Sequence, residues 1–183
     1  MRRPAKVLLT VAVAATALAV GGYVGLMRYS THAPADGAPA ALARMALPDL
    51  AGKPVTVAAW KGKVLVVNFW ATWCTPCRRE IPGLISIQGK YAANGLQIVG
   101  IAVDQADKVR QYAKEMGINY PILIAGMEGA DLARELGNRT GALPFTLVLD
   151  RGGRVVDTHL GLITEEELEK LLEPLLADVA KSD

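Results

Sequence analysis

Cysteine is almost absent from this chain: its 183 residues include two, Cys74 and Cys77. Histidine is as scarce, with His32 and His159 alone. A structural zinc site takes four ligands, so a metal reading would need both histidines beside the one cysteine pair. His32 stands in a linker-like stretch, no second cysteine pair exists, and no metal is expected. A purely structural cross-link explains the pair poorly, because closing a loop of about two residues removes little chain entropy. The chain has no internal repeat and no phosphate-binding glycine loop. It also has no basic stripe with interleaved aromatics, so no nucleic-acid partner is expected.

Acidic residues are missing from the first 33 positions, which hold Arg2, Arg3, Lys6 and Arg28. The formal charge of +2 therefore averages two unlike parts; after position 33, 16 basic residues face 18 acidic ones. Charge of either sign is missing from residues 7–27. As a helix this segment is about 32 Å long, enough to cross a hydrocarbon core of about 30 Å. The three cations before it hold the N-terminus in the cytoplasm and send the remainder outward. The competing reading is a cleaved signal peptide, with Ala15, Ala17 and Ala19 as small residues for a peptidase. Signal cores run about 7–15 residues, so the length favours an uncleaved anchor. No cysteine follows it to carry a lipid. Residues 1–6 are then a cytoplasmic N-terminus, 7–27 a transmembrane anchor, 28–41 a linker rich in Ala, Pro and Gly, and 42–183 the folded domain.

Within that domain the cysteines stand in Trp73-Cys74-Thr75-Pro76-Cys77. An apolar run, Val64-Leu65-Val66-Val67-Asn68-Phe69-Trp70, precedes them and reads as a buried strand. A helix is expected over 75–91. A Cys-x-x-Cys at a strand-to-helix junction reads as a redox dithiol. Two cysteines on the first helical turn can join and part with little backbone movement. Free N–H groups and the helix dipole favour a thiolate on the first of them. The dipole contributes about 1 kcal/mol and at best about 2, and a pKa unit is about 1.4 kcal/mol. The helix end alone thus brings a thiol from about 8.5 to about 7; anything lower needs further hydrogen bonds, for example from the Cys77 thiol.

The remaining pattern supplies the frame. An extended lead-in over 43–50 is followed by a short strand at 54–57 and a turn at 60–63. Strands are expected at 64–71, 96–103, 120–125, 145–149 and 155–160. Besides the helix at 75–91, others are expected at 105–116, at 131–136 and from Thr164, where Glu167 completes a capping box. The turn Asp150-Arg151-Gly152-Gly153 makes the last two strands a hairpin. A βαβαβ unit, a short helix, a hairpin and a last helix imply an α/β fold: a mixed central sheet flanked by helices.

The stretch Val67-Asn68-Phe69-Trp70-Ala71-Thr72-Trp73-Cys74-Thr75-Pro76-Cys77-Arg78-Arg79-Glu80-Ile81-Pro82 resembles the thioredoxin superfamily, and within it the membrane-anchored TlpA/ResA-type thiol-disulfide oxidoreductases. Gly141-Ala142-Leu143-Pro144-Phe145-Thr146-Leu147-Val148-Leu149-Asp150 is similar to the family's cis-proline strand, and the resemblance covers about residues 42–178. It implies a thioredoxin-like fold in which Cys74 is the exposed nucleophile and Cys77 the more buried, resolving cysteine. It implies a cis peptide at Pro144 beside the dithiol, with Leu143 offering backbone groups to an extended substrate. Trp73, Thr75 and Pro76 would face substrate, and Pro82 would kink the helix. Thioredoxin itself has a buried aspartate six residues before its first cysteine; Asn68 stands there and cannot titrate. The TlpA/ResA type has a glutamate three residues after the second cysteine; here that is Glu80, expected to relay the Cys77 proton. On its own, a helical glutamate beside Arg79 reads as a solvated charge, and Asn68 as a hydrogen-bonded strand residue.

By this resemblance the chain is a protein disulfide reductase with no cofactor. Its implied partners are exported protein disulfides, such as apocytochrome c, and a membrane thiol donor. Its place would be a bacterial inner membrane, with the domain in the periplasm. Two other readings stand beside it. A peroxiredoxin-like thiol peroxidase would want a threonine three residues before the reactive cysteine, where Ala71 stands. A copper carrier would want a histidine near the later strands.

Overall fold

The computed structural model describes Leu42 and residues 45–177. The expected anchor over 7–27 and the linker over 28–41 lie outside the described residues. Among the described residues no helix is long and apolar enough to cross a membrane. The chain divides between Ala33 and Pro34, and everything described belongs to the second unit.

Two short strands, β1 (Ala46–Pro48) and β2 (Pro54–Thr56), pair antiparallel. The central sheet contains β3 (Val64–Trp70), β4 (Leu96–Ala102), β5 (Ile122–Ile124), β6 (Phe145–Leu149) and β7 (Val155–Leu160), in the order β5-β4-β3-β6-β7. β3 pairs parallel with β4, and β4 with β5; β6 runs antiparallel to β3 and β7 to β6. β3 and β4 are buried along their whole length. A strand enclosed on both faces needs side chains that tolerate either, which is why these two read as nearly continuous apolar runs, interrupted by the buried polar residues Asn68 in β3 and Gln97 in β4.

Helix α1 (Thr75–Tyr91) connects β3 to β4, and α2 (Ala106–Met116) connects β4 to β5. A short α3 (Gly129–Glu135) precedes β6, and α4 (Glu165–Ala177) closes the fold. Alternation along β3 divides the core in two. Val64, Val66 and Trp70 pack with Ile81, Leu84 and Ile87 of α1, Val109 of α2, and Leu168 and Leu172 of α4. Leu65, Val67 and Phe69 pack on the opposite face with Ala133 of α3 and with Leu42, Met45 and Val57. The expected capping box forms: Thr164 N donates to Glu167 Oε2 (2.9 Å) and Glu167 N to Thr164 Oγ1 (3.3 Å).

Two expected elements differ. The strand expected over 120–125 is three residues long, Ile122–Ile124: Pro121 accepts the Gly100 N–H (2.9 Å) but has no N–H of its own to extend the ladder toward Tyr120. The helix expected over 131–136 begins at Gly129, continuing a 3-10 turn over Gly126–Glu128. One glycine is demanded by packing. A Cβ on Gly100 of β4 would sit 2.8 Å from Trp70 Nε1 and 3.3 Å from Tyr120 Cε2. Its missing side chain leaves the space that the Trp70 indole occupies.

Candidate active site

The C-terminal end of β3 delivers the chain into a tight turn, in which Cys74 N donates to Ala71 O (3.2 Å). Cys74 then becomes the N-cap of α1 and its Sγ accepts the Cys77 N–H at 3.3 Å. This is the capping position where serine or aspartate usually stands, with sulfur in the place of oxygen. Pro76 occupies the first turn, where its missing N–H costs nothing. The two sulfurs are joined at 2.04 Å, with 5.3 Å between the Cα atoms.

Cys74 is less open than expected for an exposed nucleophile, at 5 % exposed against 0 % for Cys77. Its sulfur is bonded to that of the fully buried Cys77, which is the more enclosed of the two. Beside Cys74 in the chain Trp73 is 61 % exposed, Thr75 is exposed and Pro76 is half-buried; before β6, Leu143 is half-buried and Pro144 is buried. The Leu143–Pro144 peptide is cis. Pro144 precedes β6, the strand paired with β3, and its carbonyl accepts the Gly161 N–H (2.9 Å).

Glu80 is not a solvated charge. It lies on the buried stripe of α1 that runs Cys77, Glu80, Ile81, Leu84, Ile87, Gln88, one turn beyond Cys77, and is 3 % exposed. Asn68 Nδ2 donates to its Oε1 (2.7 Å) and the Ile163 N–H to its Oε2 (3.2 Å). Burial raises its pKa to about 7, against the opposing pull of those two donors. Asn68 is thus the neutral partner of a buried acid, and it also donates to Thr146 Oγ1 (3.0 Å). Tyr120 is buried nearby; burial first, then the charge of Glu80, pushes its phenol well above the usual range.

Pro82 lies exposed inside α1. Trp70 packs at 5.7 Å from the Tyr112 ring, as a core residue should. His159 is a strand residue whose Nε2 meets Leu162 O (3.1 Å). Among the described residues, no group of three or more His, Cys, Asp or Glu is placed to hold a metal. The structure adds three residues that sequence reasoning missed. Thr146 and Ile163 complete the surroundings of Asn68 and Glu80, and Asp104 accepts from Thr72. None carries a local signal, since each acts through a partner 32 to 83 positions away.

Residues 33–172 match the Redoxin family. The thiol-disulfide oxidoreductase ResA of Bacillus thuringiensis (strain Al Hakam) is 33 % identical over 128 residues, covering 69 % of this chain and 72 % of that protein. ResA of Geobacillus kaustophilus is 28 % identical over 176 residues, covering 96 % and 99 %. A crystal structure of a thiol:disulfide interchange protein of the thioredoxin family from Chlorobium tepidum superposes with a TM-score of 0.63 at 34 % identity, over 72 % of this chain and 92 % of that one.

Proposed function

We propose, from the premise that this chain belongs to the Redoxin family as a ResA-type thiol-disulfide oxidoreductase, that it reduces disulfides of exported proteins on the outer side of a bacterial inner membrane. The observation that carries the chemistry is a cysteine sulfur serving as the cap of a helix. The N–H that donates to Cys74 Sγ in the disulfide is positioned to donate to the thiolate after reduction, a stronger bond because its acceptor is charged.

In the reaction the Cys74 thiolate attacks one sulfur of a substrate disulfide. That bond breaks, and the departing substrate sulfur takes a proton. Cys77 then loses its proton and attacks Cys74 Sγ, closing the disulfide seen here and releasing the second substrate thiol. Two electrons pass from the dithiol to the substrate, and no cofactor is needed. Glu80 is the base for the second step. It shares the buried stripe with Cys77, and its pKa of about 7 lets it take a proton near neutral pH and lose it again. Trp73, Thr75, Pro76 and Leu143 border Cys74 and receive an extended substrate segment along the edge before Pro144.

The charge-free stretch over 7–27 with cations before it supports a single membrane anchor and an exported domain. A membrane thiol donor would then recharge the couple. The substrate class we assign is the Cys-x-x-Cys-His disulfide of apocytochrome c, whose thiols must be free before haem attachment. The test is the equilibrium reduction potential of the full chain, with turnover on an oxidised Cys-x-x-Cys-His peptide. A reductase should lie nearer to about −270 mV, as thioredoxin does, than to about −120 mV. A value at the oxidising end, or no reduction of the peptide, would overturn the assignment.

A further inference from the structure

The described residues include two buried acids, Glu80 and Asp104, and the mechanism above uses one of them. Asp104 stands two residues beyond the end of β4, whose last residue, Ala102, pairs with Trp70 at the end of β3. It is 4 % exposed, and both carboxylate oxygens are occupied. Oδ1 accepts the Gln105 N–H at 2.7 Å. Oδ2 accepts the Thr72 N–H at 3.1 Å and also the Thr72 hydroxyl. Three donors outweigh burial and hold the carboxyl below its usual range, with Lys108 in the first turn of α2 adding a smaller pull. Glu80 and Asp104 are thus tuned apart: one takes up its proton near neutrality and the other stays ionised.

Thr72 sits inside the turn that Cys74 closes on Ala71. The Asp104 carboxylate is therefore fastened to the backbone that carries the nucleophile. Following the chain from Thr72 N across that turn puts the charge roughly 10 Å from Cys74 Sγ. We propose that Asp104 is a positioning residue for the dithiol: it pins the Ala71–Cys74 turn to the loop after β4, and its fixed negative charge opposes the Cys74 thiolate and makes the couple more reducing. The inference rests on Cys74 and Cys77 being the exchanging pair.

The charge acts on one redox state only. The disulfide carries no charge for it to oppose, whereas the thiolate of the reduced form does. At about 10 Å, with the screening usual near a protein surface, the effect is about one pKa unit. In Asp104→Asn the Cys74 pKa should fall by about that much. Tenfold more thiolate of a somewhat weaker nucleophile should then speed iodoacetamide alkylation about threefold at pH 6. Where Cys74 is ionised, the tenfold stabilisation of the reduced form should raise the potential by about 30 mV.

Thr72→Val separates the charge from the clamp, because it removes the hydroxyl donor and leaves the carboxylate in place. It should not lower the Cys74 pKa. The proposal is overturned if Asp104→Asn leaves the alkylation profile and potential of a folded protein unchanged, or if Thr72→Val lowers the pKa as far as Asp104→Asn does. Should Asp104→Asn not fold, the reduced wild-type protein decides: the Asp104 carboxyl carbon resonance should inflect at the Cys74 pKa, and a flat trace refutes the coupling. Wild-type alkylation at Cys74 and disulfide turnover are measured alongside. Their absence would count against the exchange mechanism itself rather than against Asp104.

Discussion

Replacing Glu80 by Gln isolates the ionisation of one buried carboxyl. Its pKa in the fold is about 7, against an ordinary 4.5. Below pH 4.5 the group is protonated in both folded and unfolded chains and adds no pH dependence. Between 4.5 and 7 the unfolded chain ionises while the fold keeps its proton, so stability falls as pH rises. Above 7 the whole penalty is present. Evaluating the two titrations at pH 5 and pH 8 gives a loss of about 2.5 kcal/mol from this group alone. Glu80→Gln carries no charge and should lack that loss. The amide cannot accept the Ile163 N–H with its nitrogen, which costs about 1–3 kcal/mol. That cost is the same at both pH values and cancels when the pH dependences are compared. The assay is urea unfolding of the oxidised proteins at pH 5 and 8, where the disulfide keeps the cysteines from titrating. In the reduced proteins, the inflection near pH 7 in the Cys77 reaction should vanish with the carboxyl. Equal pH dependence of wild type and Glu80→Gln would refute both the burial argument and the proton relay.

Other substitutions test the frame around the site. Asn68→Leu removes the stronger donor to Glu80 and should raise that carboxyl's pKa further, read as an upward move of the same inflection. At pH 8 it should also cost about 1.5–3 kcal/mol in urea unfolding, as loss of a hydrogen bond to a buried charge does. Gly100→Ala drives a methyl into the Trp70 indole and should destabilise by about 1–3 kcal/mol, with a change in the tryptophan fluorescence of the folded state. Thr164→Ala opens the capping box of α4 and should cost about 1 kcal/mol, with no change in disulfide turnover.

Legibility in the sequence follows the range of the interactions. The hairpin of β6 and β7 and the long helix α1 stand where local pattern puts them, because turn residues and period are local quantities. β5 is the exception among the strands. The apolar residues of its neighbourhood suggest six positions, and Pro121 removes the first pairing partners. The dithiol and the cis peptide are read by resemblance to a family; nothing in the periodicity of Leu143-Pro144 distinguishes cis from trans. Glu80 shows the limit of local reading. On a helix, beside two arginines, a glutamate reads as solvated, and its burial becomes evident once β3 and the loop before α4 are folded against it. Asp104 is a sharper case. The segment Val103-Asp104-Gln105 looks like an ordinary strand exit, and its bond to Thr72 exists because two parallel strands end side by side.

The central claim is that Cys74 attacks and Cys77 resolves. The most direct measurement is intact-mass analysis of three reduced proteins, wild type, Cys74→Ser and Cys77→Ser, after mixing each with a protein substrate bearing one disulfide. Wild type should release two substrate thiols and return to its own disulfide. Cys77→Ser should stop as a single adduct on Cys74, and Cys74→Ser should form no adduct and reduce nothing. A stable adduct on Cys77 in Cys74→Ser at the wild-type rate, or full turnover by either variant, would contradict the assignment.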